Sequence, residues 1–291
     1  MTALFRAEWL KLAGNRWAVT FLVWIFPITG LFLSLGAIFI ALLASINSPT
    51  ELNDMGQFLT NWQGGFLSTW AFPNSEIGRF TIIIFTAIVF AGEYQHGTWK
   101  NLITRRPRWV IMATKFFTLA VFITIAFIMM SIFVGIGSLV LGQIVGHDMG
   151  VFDANTFSKF IRDIVTQMGL TLVITFIATG YTALAAMYSK NIIGTIFIGL
   201  LVSLGEPSVL LLVSLGRSLL SIDLFPLYLL TPSYNMSNIR TAEMGFEPFV
   251  PLAPEGFVPF SLTVSWLLLV GWIVFLIALS IRNFTRQDIT V

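Results

Sequence analysis

Long apolar runs separated by short polar segments dominate the chain from residue 18 onward. A helix needs about 20 residues to cross the hydrocarbon core of a bilayer, so these runs predict membrane-spanning helices. We predict six spans, at 18–46, 78–92, 111–145, 160–188, 192–211 and 260–281. The pattern therefore predicts an all-α membrane protein with six transmembrane helices in one domain over residues 1–291.

The segment 2–16, which precedes the first span, has helical periodicity. Its apolar positions Phe5, Trp9, Leu12 and Ala13 share one face, and Glu8 falls on another. This pattern predicts an N-terminal interfacial helix that lies along the inner membrane surface. A simple basic flank is the alternative.

The region before the last span contains many prolines. The fifth span meets Gly205-Glu206-Pro207 after a short apolar run. It either continues through a proline kink or breaks, in which case 208–222 forms a re-entrant helix. The stretch 212–258 predicts an ordered but irregular outer cap.

Charged residues divide unequally between alternate segments. If both termini are cytoplasmic, the inner segments hold eleven of the sixteen Lys and Arg residues and three of the fourteen acids. The eleven are Arg6, Lys11, Arg16, Lys100, Arg105, Arg106, Arg108, Lys115, Lys190, Arg282 and Arg286. Short basic loops resist translocation, so we predict cytoplasmic termini and a cytoplasmic loop at 93–110. These side chains also suit contact with anionic lipid headgroups.

Composition and missing motifs exclude several classes of function. Only 10% of residues are charged and mean hydropathy is +0.87, unlike a soluble domain. Cysteine is absent, and so are the P-loop, H-E-x-x-H and G-x-S-x-G signatures. His96 and His147 fall on opposite predicted sides, which disfavours a membrane haem. We therefore predict no catalytic, cofactor-binding or metal-binding residues on this chain.

Ionisable residues near the membrane leave a second class of function open. Glu206, Arg217 and Asp223 are the candidates for an ion-coupled pathway, although a solvated outer helix end also accounts for them. A secondary transporter or channel-like protein that needs no ATPase is thus one alternative. A membrane anchor or assembly subunit is another.

The loop between the second and third spans has an ordered layout, G-E-Y-Q-H-G-T-W-K-N-L-I-T-R-R-P-R-W from Gly92 to Trp109. Gly97 and Thr98 predict a turn and a helix N-cap. Trp99–Thr104 is long enough for a short helix, and Pro107 either ends that helix or begins the next one. The pattern predicts a short cytoplasmic helix that presents aromatic and basic side chains.

This layout resembles the permeases of ABC-2-type transporters. The matching positions are Glu93, Gly97, Thr98, Leu102, Pro107, Arg108 and Lys115. The opening F-R-A-E-W-L-K-L, Phe5–Leu12, is similar to the N-terminal interfacial helix of the same permeases. Arg105 and Arg106 depart from the family pattern, which often has an apolar pair there.

The resemblance implies a permease subunit of an exporter, which is not an enzyme by itself. ATP and Mg²⁺ would bind to a separate ATPase chain, and a second permease copy or homologue would complete the pathway in a prokaryotic plasma membrane. Trp99 and Leu102 would enter a groove of the ATPase, and the loop arginines would steer binding. The implied ATPase-coupling residues are Glu93, Gly97, Thr98, Trp99, Leu102, Arg105, Arg106, Pro107 and Arg108.

Overall fold

The computed structural model describes residues 2–14, 24–47, 61–74, 76–99, 103–104, 106–220, 222–243, 253 and 257–287. Over these ranges the protein is helical and has no β-strand. The helices are α1 (Thr2–Gly14), α2 (Ile25–Asn47), α3 (Trp62–Ser68), α4 (Glu76–Gln95), α5 (Arg108–Val145), α6 (Ala154–Ser189), α7 (Ile192–Gly205), α8 (Val209–Leu220), α9 (Phe225–Leu229), α10 (Pro232–Glu243) and α11 (Leu262–Arg286). A 3₁₀ helix, Thr69–Asn74, follows α3.

Five of these helices, α2, α4, α5, α6 and α11, are long and apolar enough to cross a membrane. A sixth crossing is possible if α7 and α8 together form one span. The predicted all-α, multi-span class is therefore confirmed. The cytoplasmic position of the termini stays a prediction.

Several helix ends differ from the predicted span limits. α4 has 20 residues and continues to Gln95, so the helix includes residues on both sides of the span predicted at 78–92. α6 begins at Ala154 because Asp153 and Thr156 cap it reciprocally: each backbone N–H donates to the other's side chain, at 2.7 and 3.1 Å. Hydrogen bonds from Thr156 hold the pKa of the Asp153 carboxyl below its usual value.

The predicted fifth span is broken. α7 ends at Gly205, α8 begins at Val209, and the two axes differ by 55°, as in a broken span or a re-entrant loop. Pro207 lies in the break, where its missing N–H and fixed φ disfavour a continuous helix. The carboxylate of Glu206 accepts a hydrogen bond from the backbone N–H of Ser233, near the start of α10.

The predicted irregular cap is mostly helical over the part that the structure describes up to residue 243. α8, α9 and α10 lie between the break and residue 243. Pro226 and Pro232 occupy the first turns of α9 and α10. A first-turn proline lacks only an N–H that would have no helical partner, which explains why these prolines begin helices here.

The chain divides into two compact units, unit 1 (Met1–Phe85 and Thr114–Thr175) and unit 2 (Thr86–Ala113 and Phe176–Val291). In unit 1, the Phe26 and Phe127 rings pack 4.8 Å apart, and Ser131 donates to the carbonyl of Phe66 at 2.7 Å. In unit 2, α6 and α11 pack so closely at Gly180 that an added Cβ would lie 2.7 Å from Leu276.

Candidate functional site

The loop motif begins as the C-terminal cap of α4. Gly97 has φ +63°, a left-handed conformation that favours glycine. Its N–H donates to the carbonyl of Tyr94 at 3.2 Å, and the N–H of Thr98 donates to that of Glu93 at 3.0 Å. This pair of bonds is a Schellman motif, which explains the spacing of Glu93 and Gly97.

Thr98 completes this turn, because its hydroxyl donates to the carboxylate of the buried Glu93. The predicted turn is therefore present. Trp99, the next residue, is helical, and residues 100–102, which would test the predicted N-cap at Thr98, lie outside the described residues. The coupling residues Leu102 and Arg105 lie outside the described residues.

Trp99 is buried within unit 2. Its side chain is 1% exposed, and its ring centroid lies 4.4 Å from that of Phe284 and 5.5 Å from that of Tyr94. The sequence predicted an exposed aromatic at this position. In this structure the ring cannot enter a partner's groove without leaving its contact with α11.

Arg108 binds the end of α11. Its Nη1 donates to the carbonyls of Phe284, Thr285 and Gln287 at 3.0, 2.9 and 2.8 Å. The last carbonyls of a helix have no partner within it and carry partial negative charge. A guanidinium suits this position because it is cationic and offers several donors.

Gln287 connects three helix ends, and the sequence did not single it out. Its side-chain oxygen accepts from the hydroxyl of Tyr94 at 2.6 Å, and its Nε2 donates to the carbonyl of Met187 at 2.8 Å. We call Tyr94, Trp99, Arg108, Phe284 and Gln287 the loop cluster. It fixes the motif to the ends of α4, α6 and α11.

A second cluster, in unit 1, holds α1 against α5. The Nζ of Lys115 lies 3.0 Å from the carboxylate of Glu8, and both side chains are almost fully buried. Because Glu8 is buried like Leu12, its predicted place on a different face from the apolar positions is wrong. The i, i+4 spacing of Glu8 and Leu12 was the available signal, but a carboxylate did not suggest burial.

Aromatic rings extend this contact along α1. Phe5 packs against Phe117 at 5.4 Å between centroids, and Trp9 stacks on Phe122 at 4.3 Å. The predicted apolar positions Phe5 and Trp9 therefore face α5, and Leu12 is buried, whereas Ala13 is exposed. We call Phe5, Glu8, Trp9, Leu12 and Lys115 the α1 cluster.

Exposed side chains of the loop form a different set. Arg106 and Pro107 are exposed, and Trp109 is 49% exposed. Pro107 is also the N-cap of α5, because its carbonyl accepts from the N–H of Ile111 at 3.3 Å. These three residues remain accessible to a partner.

Ionisable residues of the outer region have local structural contacts. Arg217 pairs with Asp223 at 2.9 Å, and Asp223 also accepts from the N–H of Phe225 at the start of α9. Glu206 contacts α10, as described above. The described residues contain no group of three or more His, Cys, Asp or Glu side chains that could hold a metal ion.

The fold defines an integral membrane protein with several apolar spans and polar segments fixed to their ends. A family model described as ABC-2 family transporter protein matches residues 4–206, well over half of the chain. The chain therefore belongs to the ABC-2 family of transporters and is a membrane permease. A comparison with curated proteins finds no match.

Proposed function

We propose that this permease is the membrane subunit of an ATP-driven exporter, whose ATPase is a separate chain and whose pathway requires two permeases. One observation carries most weight: the loop motif is fixed to the last helix by the three carbonyl bonds of Arg108. A loop built to receive force must be held rigidly to the helices that it moves.

The loop residues would then divide into two groups by exposure. Trp99 and Arg108 would keep the loop in shape, and Glu93, Gly97 and Thr98 would form the turn that aims it. Arg106, Pro107 and Trp109 would contact the ATPase, since they are exposed. Leu102 and Arg105 stay predicted contacts on the basis of the motif alone.

Charge and shape assign the contact residues different roles. Arg106 would steer association with an acidic surface, because exposed charges raise association rates. Trp109 would supply apolar area, as buried aromatics often do at interfaces. ATP and Mg²⁺ would bind only to the partner.

Each unit would transmit motion by its own contacts. In unit 2, displacement of the loop reaches α11 through Arg108 and Phe284. In unit 1, displacement of α1 reaches α5 through Glu8 and Lys115. The exposed Arg6 and Leu10 give α1 an accessible face for a partner.

The alternative functions have less support. A secondary transporter would use Glu206, Arg217 and Asp223 in an ion pathway. In the structure, however, Glu206 binds the start of α10, and Arg217 and Asp223 form an ion pair with each other. An anchor or assembly subunit would dock through the same loop but would move no substrate. The plasma membrane of a prokaryote is the location that we propose.

The test is affinity purification of the tagged chain from its native membrane in mild detergent, followed by mass spectrometry. We expect a stoichiometric protein with a P-loop, and we expect Arg106→Glu to reduce its recovery. Arg162→Glu is the matched control, because Arg162 is also exposed but lies on α6. A preparation that contains no ATPase even after crosslinking would contradict the proposal.

A further inference from the structure

We propose that the last turn of α11, together with the end of α6, binds the phosphate headgroup of an anionic phospholipid. The residues that carry the site are Tyr188, Lys190, Arg282, Asn283 and Arg286. All five belong to unit 2. This inference concerns lipid binding and does not depend on the ATPase.

The two arginines share the exposed side of α11. Ser280 and Phe284 are fully buried, whereas Arg282 and Arg286, each two residues further along, are exposed. Two residues correspond to about 200° of helical rotation, which places the arginines opposite the buried side. An i, i+4 pair lies on adjacent turns, so both side chains can reach one anion.

The guanidinium groups of Arg282 and Arg286 are available for a ligand. A basic residue in the last turn commonly binds the carbonyls of its own helix. Here Arg108 occupies that position and binds the carbonyls of residues 284, 285 and 287. Among the described residues, neither Arg282 nor Arg286 has a side-chain hydrogen bond or ion pair.

A polar group from α6 lies beside this turn. Asn283 donates to the hydroxyl of Tyr188 at 3.4 Å, and the Tyr188 side chain is 75% exposed. Tyrosine is enriched at the headgroup level of membranes because its ring is apolar and its hydroxyl is polar. Lys190 follows two residues later and is also exposed.

The depth and the surrounding surface identify a lipid as the occupant. The uncharged part of α11, residues 262–281, is about 30 Å long, equal to the hydrocarbon thickness. Arg282, the next residue, therefore lies at the level of the lipid headgroups. Within the apolar part of α11 that precedes Arg282, the side chains of Leu267, Val274 and Phe275 are exposed and suit contact with an acyl chain. Basic clusters between helices at this depth are typical headgroup sites.

The experiment is native mass spectrometry of the full-length protein in detergent, with phosphatidylglycerol and phosphatidylcholine of identical acyl chains as probes. We expect wild type to retain phosphatidylglycerol preferentially. Arg282→Gln/Arg286→Gln should weaken its binding by about fivefold per arginine. Arg282→Lys/Arg286→Lys should keep most of the binding, since the charge remains.

The matched control is Lys159→Gln/Arg162→Gln, which removes two exposed charges near the other end of α6. It should bind phosphatidylglycerol like wild type, and an equal loss there would overturn a defined site. Unchanged lipid binding in the Arg282/Arg286 glutamine variant would also overturn it, whether or not that variant loses a protein partner. Complete displacement by excess inorganic phosphate would instead indicate a free-anion site and reject the lipid.

Discussion

The α1 cluster and the loop cluster both hold a segment to a long helix, but they use different chemistry. The α1 cluster combines a buried ion pair, Glu8 and Lys115, with ring contacts of Phe5 and Trp9. The loop cluster distributes its bonds over three carbonyls, a tyrosine hydroxyl and an aromatic contact. A buried ion pair is expensive to break at one partner, whereas distributed bonds can be lost one at a time. Single substitutions should therefore affect the two clusters unequally.

The largest effect is expected at the ion pair. Lys115→Met leaves the Glu8 carboxylate buried beside an apolar side chain and should reduce the free energy of unfolding by about 4 kcal/mol. The measurement is SDS titration in mixed micelles, followed by circular dichroism. Glu8→Leu/Lys115→Met removes both charges and should restore most of the loss, because apolar pairs replace buried ion pairs well. A double variant as unstable as the sum of its two single variants would contradict this view.

Trp99→Ala should have the next largest effect. Removing a fully buried indole leaves a cavity beside Phe284 and should cost about 3 kcal/mol in the same titration. Trp99→Phe keeps a ring against Phe284 and is the matched control, with a smaller loss expected. If Trp99→Ala retained wild-type stability but lost the ATPase, the ring would contact the partner and the proposed division of the loop would be wrong.

Arg108→Ala should have an intermediate effect. It leaves three carbonyls of α11 without their cationic donor, at a cost of about 2 kcal/mol. Arg108→Lys keeps the charge but has a single terminal nitrogen, so we expect partial recovery. The nearby control Arg106→Ala should be neutral, because Arg106 is exposed. Equal losses for Arg108→Ala and Arg106→Ala would show that general charge, and not the carbonyl contacts, stabilises the loop.

Hydropathy was sufficient to predict the five long apolar helices, because lipid-facing helices need no long-range partner to be apolar. It could not set their ends, which depend on local bonds such as the cap between Asp153 and Thr156. The break at Pro207 was one of two predicted outcomes, since proline disfavours a continuous helix but does not decide the angle.

The motif residues were recognisable in the sequence, but their contacts were not. Arg108 and Trp99 meet residues of α11, more than 170 positions later in the chain. Lys115 binds Glu8, which lies 107 positions earlier in the chain. One sequence contains no direct signal for such pairings, so the burial of Trp99 and the carbonyl contacts of Arg108 could not be predicted from it.

The smallest effect is expected from Tyr94→Phe. This variant tests whether a single hydrogen bond of the loop cluster contributes only a small part of the free energy of unfolding. This change removes only the 2.6 Å bond to Gln287 and leaves the ring beside Trp99. Gln287 keeps its bond to the carbonyl of Met187, so we expect a loss of about 1 kcal/mol in the SDS titration. Tyr188→Phe is the control, because it removes a longer bond on an exposed side chain and should change nothing measurable. A loss for Tyr94→Phe as large as that for Lys115→Met would mean that the loop cluster depends on the bond between Tyr94 and Gln287 and does not distribute its stability over several contacts.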